Sequence, residues 1–338
     1  MRKLLTISLI AISLSTLGCK GGSPFIEGKI DDLAGKKLYL CEYGWTRAEI
    51  VDSTKVKKDG TFLFTKGEKQ KGEYCLKEKK DAPYNVARFF VDNDIVNVTG
   101  SFENRQDMKI EGTISDSLYS DFRRNSGASD FNKTREFAIK YKDFVAAPYV
   151  LARHYKYKAT LEQIDSLLNL MPEDIQATLY AKRAHFVGKA KKDSQIGSHF
   201  TEIVENDTEG NIRSLSTTVA NNEYTLLTFW ASWCGDCRGN IPYIKNLYDK
   251  YYDKGLGIYS VSMDYTEEEW KGYIERNDIK WINVSDIKGW DCVPADKYYV
   301  QSITSTFIID KNGIIVDKLL KKEKLEDKID ELFTKEIK

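Results

Sequence analysis

A short apolar segment that ends in two closely spaced cysteines constrains the fold more than any other part of this chain. Residues 224–230 are mostly apolar, aromatic or β-branched, and the run is too short and too β-rich for a helix, which predicts a buried strand. Cys234 and Cys237 follow, and apolar residues then recur at helical spacing over residues 241–251. The pattern therefore predicts a strand, a turn and a helix, with Cys234 near the helix start and Cys237 one turn in.

This placement of the two cysteines suits redox chemistry. The first turn of a helix offers unpaired N–H groups and the positive end of the dipole, and both favour a thiolate. The spacing also brings both sulfurs to one helical face, where they can close a short disulfide and reopen it by thiol exchange. We therefore predict a redox-active pair in which Cys234 attacks and Cys237 resolves.

Two structural roles are the alternatives for this pair. A zinc site needs four ligands, and the sequence has no second Cys-x-x-Cys or Cys/His pair to complete one. A permanently closed disulfide over so short a loop constrains a long unfolded chain very little. We favour redox exchange over both roles, and we predict no metal and no other cofactor.

Residues 230–238, which read Trp-Ala-Ser-Trp-Cys-Gly-Asp-Cys-Arg, resemble the active-site motif of the thioredoxin superfamily. The motif is most similar to that of the TlpA/ResA group of cell-envelope thiol–disulfide oxidoreductases. The resemblance covers residues 196–338, and it implies an α/β thioredoxin-like C-terminal domain and an enzyme. It further implies protein thiols and disulfides as substrates, a membrane electron donor as partner, and cytochrome c maturation as one process that such an enzyme serves.

The chain departs from this family at the loop that faces the cysteines. Family members carry a cis-proline there, and the matching residue in this sequence is Thr304. A cis bond before a residue other than proline costs about 2.5–4 kcal/mol, so we expect the Ile303–Thr304 bond to be trans. The loop should still face the sulfurs and offer backbone groups to an extended peptide. Ile303, Thr304 and Trp233 are therefore the candidate substrate-binding residues.

Two acids that assist proton transfer in relatives are also missing. Thr228 and Asn240 stand at the matching positions, and Asp236, between the cysteines, is the available carboxylate. We therefore add Asp236 to the candidate catalytic residues. Its charge should raise the pKa of the attacking thiol and partly oppose the helix dipole, which favours a reducing rather than a strongly oxidising couple.

The N-terminus has the pattern of a bacterial export signal. Two basic residues precede an apolar run over residues 4–17 that is too short to span a bilayer, and Gly18 and Cys19 follow. Residues 16–19 resemble a lipobox, which implies a signal peptide at 1–18, lipidation of Cys19 and a lipidated tether at 19–24. We expect a periplasm-facing, membrane-anchored lipoprotein. An ordinary secretory signal with an incidental cysteine is the alternative.

The rest of the chain divides into two further regions. The full chain of 338 residues is long enough to build two or more hydrophobic cores, and its net charge of zero argues against a nucleic-acid partner. Residues 25–114 resemble a β-rich N-terminal domain of unknown function from Bacteroidota-type envelope proteins. Short β-rich runs predict an antiparallel sandwich or small barrel, with hairpin turns at 58–60 and 92–94. The predicted strands are residues 25–30, 37–43, 48–56, 61–64, 74–76, 88–91 and 95–98.

The pattern of residues 115–195 predicts a helical connector. A capping box at 160–163 precedes an apolar stripe, and Pro172 should begin a further helix that carries Ile175, Leu179 and Phe186. His154 and His185 have no partners at metal-ligand spacing, so we expect surface or hydrogen-bonded histidines. The last domain, 196–338, should contain hairpins around 207–211 and 311–313, a helix capped by Thr266, and a terminal helix at 324–337.

Three cysteines remain outside the motif and the N-terminus. Cys41 and Cys75 lie in predicted strands, and the sequence leaves open whether they form a disulfide or stay as free buried thiols. Cys292 lies in a loop or at a helix start, where we expect a packed thiol without a role in the chemistry.

The leading functional prediction is an extracytoplasmic thiol–disulfide oxidoreductase that reduces protein disulfides. A redox-sensing or partner-binding lipoprotein with a degenerate thioredoxin domain is the first alternative. A thiol peroxidase is the second, although the Thr-x-x-Cys arrangement of peroxiredoxins is absent.

The reducing character predicted from Asp236 can be measured by equilibrium titration against glutathione. We expect a reducing rather than a strongly oxidising potential. The Asp236→Asn variant should be more oxidising, because loss of the negative charge stabilises the thiolate of the reduced form. A wild-type value near the strong-oxidant end of the scale, about −120 mV, would contradict the prediction.

Overall fold

The computed structural model describes residues 24–44, 48–65, 71–82, 85–92, 95–126, 130–155 and 158–335. These residues divide into two compact units. The N-terminal unit comprises the described residues up to Glu42 together with Glu49–Thr113, and the C-terminal unit comprises Tyr43–Ala48 and the chain from Ile114 onward. Within the described ranges, no helix combines the length and apolar character needed to cross a membrane.

The N-terminal unit is a β-sandwich, as predicted. Its two four-stranded sheets have the orders β4-β1-β7-β8 and β3-β2-β5-β6, and apolar side chains from both sheets share one core. The β1–β7 ladder is parallel, whereas the β1–β4, β2–β5, β5–β6 and β7–β8 ladders are antiparallel. The strands are β1 (Pro24–Ile30), β2 (Lys37–Tyr43), β3 (Ala48–Lys55), β4 (Thr61–Thr65), β5 (Gly72–Lys77), β6 (Ala87–Val91), β7 (Val96–Gly100) and β8 (Lys109–Glu111), the last of which was not predicted.

Both hairpin predictions for this unit are wrong, because the strands on either side of each turn do not pair with each other. The turn before Thr61 does form, with Gly60 at φ +81° and the Lys57 N–H donating to the Thr61 carbonyl. However, β3 and β4 belong to different sheets, and so do β6 and β7 on either side of Asp92. Asn93 and Asp94 lie outside the described residues. A turn motif specifies a local reversal, but the partner of each strand is decided by which sheet face is buried.

The C-terminal unit begins with helices, as predicted for the connector. Thr160 and Gln163 form the expected capping box, and Ile164 of the stripe that follows is fully buried. Among the described histidines of these helices, His154 contacts the Tyr119 hydroxyl and His185 Nδ1 lies 2.7 Å from an Asp165 carboxylate oxygen. The helices are α1 (Ile114–Ser126), α2 (Phe131–Lys140), α3 (Ala146–Arg153), α4 (Leu161–Leu168), α5 (Glu173–Gln176) and α6 (Leu179–Asp193).

The single helix predicted from Pro172 through Phe186 is wrong. Pro172 caps the short α5, and a new helix begins after Thr178, whose hydroxyl donates to the Ile175 carbonyl and accepts from the Ala181 N–H. This break changes the buried face of the second helix, so that Leu179 and Phe186 are exposed.

A five-stranded sheet forms the centre of the thioredoxin-like part. Its order is β13-β12-β11-β14-β15, with β11, β12 and β13 parallel and the two remaining strands antiparallel to their neighbours. The hairpin of β9 (Val204–Asn206) and β10 (Ile212–Ser214) is confirmed, as is the hairpin β14–β15. The sheet strands are β11 (Tyr224–Trp230), β12 (Leu256–Ser262), β13 (Ile282–Ser285), β14 (Ser305–Asp310) and β15 (Ile315–Lys318).

Five helices accompany this sheet. Thr266 caps α9 as predicted, and its side chain accepts from the Glu269 N–H. The predicted terminal helix is present, and α10 begins after Cys292, where a helix start was one of the two alternatives, whereas the short α7 was not predicted. The helices are α7 (Leu215–Ala220), α8 (Gly235–Tyr251), α9 (Glu267–Arg276), α10 (Val293–Lys297) and α11 (Glu323–Lys335).

An ion pair joins the last connector helix to the thioredoxin-like part. The Arg183 guanidinium in α6 donates to both carboxylate oxygens of Asp296 in α10, at 2.7 and 2.6 Å, and the two side chains are 13% and 35% exposed. The ammonium group of Lys318 in β15 also donates to the Ser194 carbonyl at 2.9 Å. The helices and the thioredoxin-like part therefore belong to one compact unit, and the division at residue 195 stays a prediction.

Removal of the Arg183 guanidinium should destabilise the C-terminal unit. An Arg183→Met variant leaves the Asp296 carboxylate without its bidentate partner, and we expect the free energy of unfolding to fall by about 1–3 kcal/mol. Lys192→Met is the matched control, because Lys192 pairs with Glu162 at an exposed site and should cost under about 1 kcal/mol. Urea unfolding followed by tryptophan fluorescence measures both. Equal effects of the two substitutions would contradict the prediction.

Candidate active site

The two motif cysteines lie where the sequence predicted, at the start of α8. They are joined by a disulfide, with their Cα atoms 5.2 Å apart. Cys234 is the N-cap residue of α8, and its Sγ accepts the Cys237 N–H at 3.1 Å. Cys234 is 8% exposed and Cys237 is 1% exposed. The first sulfur is therefore both the more accessible one and the one that a first-turn N–H group contacts.

The strand that leads to the cysteines is held on both sides. β11 pairs in parallel with β12 and antiparallel with β14, so that Phe229 lies opposite Val261 on one side and Ser305 on the other. Leu226, Leu227 and Phe229 are fully buried. The cysteine segment therefore leaves the sheet at the carboxyl end of its central strand, the edge where α/β proteins commonly bind ligands.

Asp264 is a buried carboxylate of the site that the sequence analysis missed. Its oxygens accept hydrogen bonds from the Ser232 N–H at 3.1 Å, from the Ser232 hydroxyl at 2.6 Å and from the Ser262 hydroxyl at 2.6 Å. The Met263 N–H also donates to the Trp230 carbonyl at 2.7 Å. These bonds fix the segment between β11 and Cys234. The signal in the sequence was an acid directly after the apolar run that forms β12.

Trp233 presents an aromatic surface next to Cys234. Its side chain is 41% exposed, and its ring stacks on Tyr265 with the centroids 6.3 Å apart. The Tyr265 ring in turn covers Gly289, where an added Cβ atom would lie 2.0 Å from the ring. A side chain at Gly289 would therefore displace Tyr265 from its place beside Trp233.

The Ile303–Thr304 bond is cis, so the expectation of a trans bond is wrong. That expectation rested on the intrinsic cost of an isolated bond, which leaves out the tertiary packing around it. Thr304 is buried, and Ile303 packs against the core that contains both motif cysteines. Because Ser305 lies opposite Phe229, the two loop residues come to the same end of the sheet as Trp230.

The two residues that replace the family's acids are buried and uncharged. The Thr228 hydroxyl makes no hydrogen bond within the described residues. Asn240 accepts from the Lys322 N–H at 2.8 Å, which ties α8 to the chain just before α11. Asp236 is exposed in the first turn of α8.

Two other cysteines were considered in the sequence. Cys19 lies outside the described residues. Cys292 is fully buried at the N-cap position of α10. Burial raises the pKa of its thiol, and the nearby Asp286 carboxylate raises that pKa further. The Cys292 thiol therefore stays protonated at neutral pH, in agreement with a packed thiol. Within the described ranges, no cluster of three or more His, Cys, Asp or Glu side chains is placed to hold a metal ion.

Comparisons with known proteins agree with this geometry. Residues 196–318 match the AhpC/TSA family, and residues 25–119 match a domain of unknown function, DUF4369. The thiol-disulfide oxidoreductase ResA of Bacillus cereus is 32% identical over 139 residues, which cover 40% of this chain and 78% of that protein. The chain belongs to the ResA-like thiol-disulfide oxidoreductases.

Another relative and two solved structures that are similar to part of this chain carry related names. The thioredoxin-like protein YneN of Bacillus subtilis is 32% identical over 33% of this chain and 66% of its own length. A crystal structure of the thioredoxin domain of a thiol-disulfide oxidoreductase from Bacteroides vulgatus is 31% identical. The match covers 41% of this chain and 98% of that one, with a TM-score of 0.39. A solution structure of a thiol:disulfide interchange protein from a Bacteroides species is 30% identical, covers 41% and 91% of the two chains, and has a TM-score of 0.38.

The role assigned to Asp264 in this oxidoreductase is testable by one substitution. Asp264→Asn keeps the side-chain shape but replaces one of the two acceptor oxygens with an NH2 group that faces a hydrogen-bond donor, and we expect a loss of about 1–3 kcal/mol in the free energy of unfolding. Amide hydrogen exchange at Ser232 should become faster.

The matched control for Asp264→Asn is Asp253→Asn, at an exposed acid of the same unit. The control should leave both the stability and the exchange rate at Ser232 unchanged. If Asp264→Asn behaved like this control, Asp264 would not hold the segment before Cys234.

Proposed function

We propose that this oxidoreductase reduces protein disulfides outside the cytoplasm by exchange at Cys234 and Cys237. The main support for the proposal is the disulfide-bonded cysteine pair at the start of α8, in which the more accessible cysteine is the N-cap residue. A structural disulfide would not need one of its sulfurs to be the acceptor of a first-turn N–H group.

The reaction begins from the reduced pair, with Cys234 as the thiolate. The Cys237 N–H and the positive end of the α8 dipole stabilise that charge. The Cys234 thiolate attacks one sulfur of the substrate disulfide and forms a mixed disulfide, and the other substrate sulfur leaves as a thiolate. Cys237 then loses its proton and attacks the Cys234 sulfur, which releases the second substrate thiol. The products are a reduced substrate and the Cys234–Cys237 disulfide, so two electrons have moved to the substrate.

One residue and one external partner complete this cycle by accepting a proton and supplying electrons. Asp236 is the carboxylate in the first turn of α8, and we assign it the uptake of the Cys237 proton through water. A membrane electron donor must return two electrons to the closed pair before the next cycle, because the exchange consumes the dithiol.

The substrate lies across the surface beside Cys234. Trp233, with Tyr265 stacked on it, offers an exposed apolar face to the residues that flank a substrate cysteine. The loop at Ile303 and Thr304 offers backbone groups to an extended peptide, as an exposed strand edge does in other peptide-binding proteins.

The location follows from the N-terminal sequence. We assign residues 1–18 to a lipoprotein signal peptide, Cys19 to lipidation and residues 19–24 to a tether on the periplasmic side of a membrane. Residues 25–114 form the sandwich domain, 115–195 the connector and 196–338 the catalytic domain in this proposal.

The nucleophile is tested by reduction of insulin disulfides. Cys234→Ser should abolish the activity, a drop of at least about a thousandfold in rate, because a serine hydroxyl is not ionised at neutral pH and does not attack disulfides. Cys292→Ser is the matched control, since it removes a buried thiol of the same domain, and it should keep most of the activity. Retained activity in Cys234→Ser would remove this residue as the nucleophile.

A further inference from the structure

A second pair of cysteines lies in the N-terminal sandwich. Cys41 on β2 and Cys75 on β5 are directly opposite each other in the antiparallel ladder. The neighbouring pair Leu40 and Leu76 belongs to the sandwich core, and side chains alternate between the faces of a strand. The two cysteines therefore share the other face of the sheet, where both are free thiols and fully buried.

The strand register brings these two residues to disulfide distance. Residues directly opposite each other in an antiparallel ladder have Cα atoms about 4.5 or 5.5 Å apart. Disulfides join residues whose Cα atoms are about 4.4–6.8 Å apart, so either kind of opposed pair falls in the allowed range. A bond between the sulfurs would also leave the Leu40–Leu76 contact in place, because it forms on the opposite face. No shift of strand register is needed.

The two thiols differ in their surroundings. Each is hydrogen-bonded to the other, and this bond lowers the pKa of the Cys41 thiol. Burial opposes the shift and the nearby Lys77 ammonium adds to it, so that the pKa of Cys41 is lowered overall. The same bond and burial raise the pKa of the Cys75 thiol. In the folded sheet the Cys41 thiol therefore loses its proton more readily than the Cys75 thiol does.

We propose that Cys41 and Cys75 are a second dithiol, which closes into a cross-strand disulfide by exchange with glutathione disulfide or a protein disulfide. One of the two cysteines attacks, as its thiolate, one sulfur of the oxidant and displaces the other sulfur as a thiolate. The second cysteine then loses its proton and attacks the sulfur of the first, which releases the second sulfur of the oxidant. Two cysteine thiols become one disulfide, and the oxidant takes up two electrons and two protons.

Burial determines when this exchange happens and what it does. Both sulfurs lie on the two central strands of their sheet, so an oxidant reaches them while the sheet is open, during folding or local unfolding. Once closed, the bond cross-links two strands that are far apart in the sequence. A cross-link of this kind restricts the unfolded chain and raises stability.

The test uses the full chain with Cys234→Ser and Cys237→Ser, so that its outcome does not depend on the exchange proposed for that pair. The protein is treated with glutathione disulfide in two arms, once folded and once during refolding from urea. Free thiols are then alkylated under denaturing conditions, and the peptides are analysed by mass spectrometry. We expect the Cys41 and Cys75 peptides to be joined, with a loss of two hydrogen atoms, in the refolding arm at least.

A thermal measurement on the same protein gives an independent readout. The oxidised form should unfold at a temperature higher by about 5 °C or more than the form treated with a phosphine reductant. Adding Cys75→Ser should remove this difference, whereas adding Cys292→Ser should leave it unchanged. Full alkylation of both Cys41 and Cys75 in both arms, or bonding of either one to Cys292, would overturn the proposal.

Discussion

The position of the reactive cysteines depends on the pairing of β11 with a strand on each side. β12 and β14 fix this strand in register through Phe229, and the strand is fully buried over most of its length. A one-residue slip in either ladder would exchange the faces of the strand, so the register is strongly constrained. The chain therefore leaves the sheet at a defined place, and four residues separate the end of β11 from the start of α8, the last of them the N-cap Cys234.

The short segment between strand and helix needs its own support, because neither element holds it. Asp264 provides this support through Ser232 and Ser262, from a position just past the end of the neighbouring parallel strand. A fully buried carboxylate that accepts three hydrogen bonds fixes the direction of the chain. The Trp233 ring that follows Ser232 is exposed, and the proposed function assigns it the contact with substrate.

The sequence predicted those parts of the fold that depend on local pattern. The strand, the cysteine pair and the helix α8 follow from one continuous stretch, and the Thr160 and Thr266 caps follow from short motifs. Features that depend on distant partners were not predictable. The turn at Gly60 gave no information on the sheet to which β4 belongs, and the contact between Asp264 and Ser232 joins residues that follow two different strands. The cis bond before Thr304 was missed for the same reason, because its cost was judged without the packing around it.

The most direct test of the account is to identify the sulfur that holds a substrate in mid-reaction. In a Cys237→Ser variant the mixed disulfide cannot be resolved, so substrate proteins from the cell envelope should remain covalently bound to the enzyme. Mass spectrometry of the trapped complexes locates the bond. The account predicts a linkage through Cys234 that is absent from a Cys234→Ser/Cys237→Ser control. Linkage through Cys292, or the absence of any complex that a reductant releases, would contradict it.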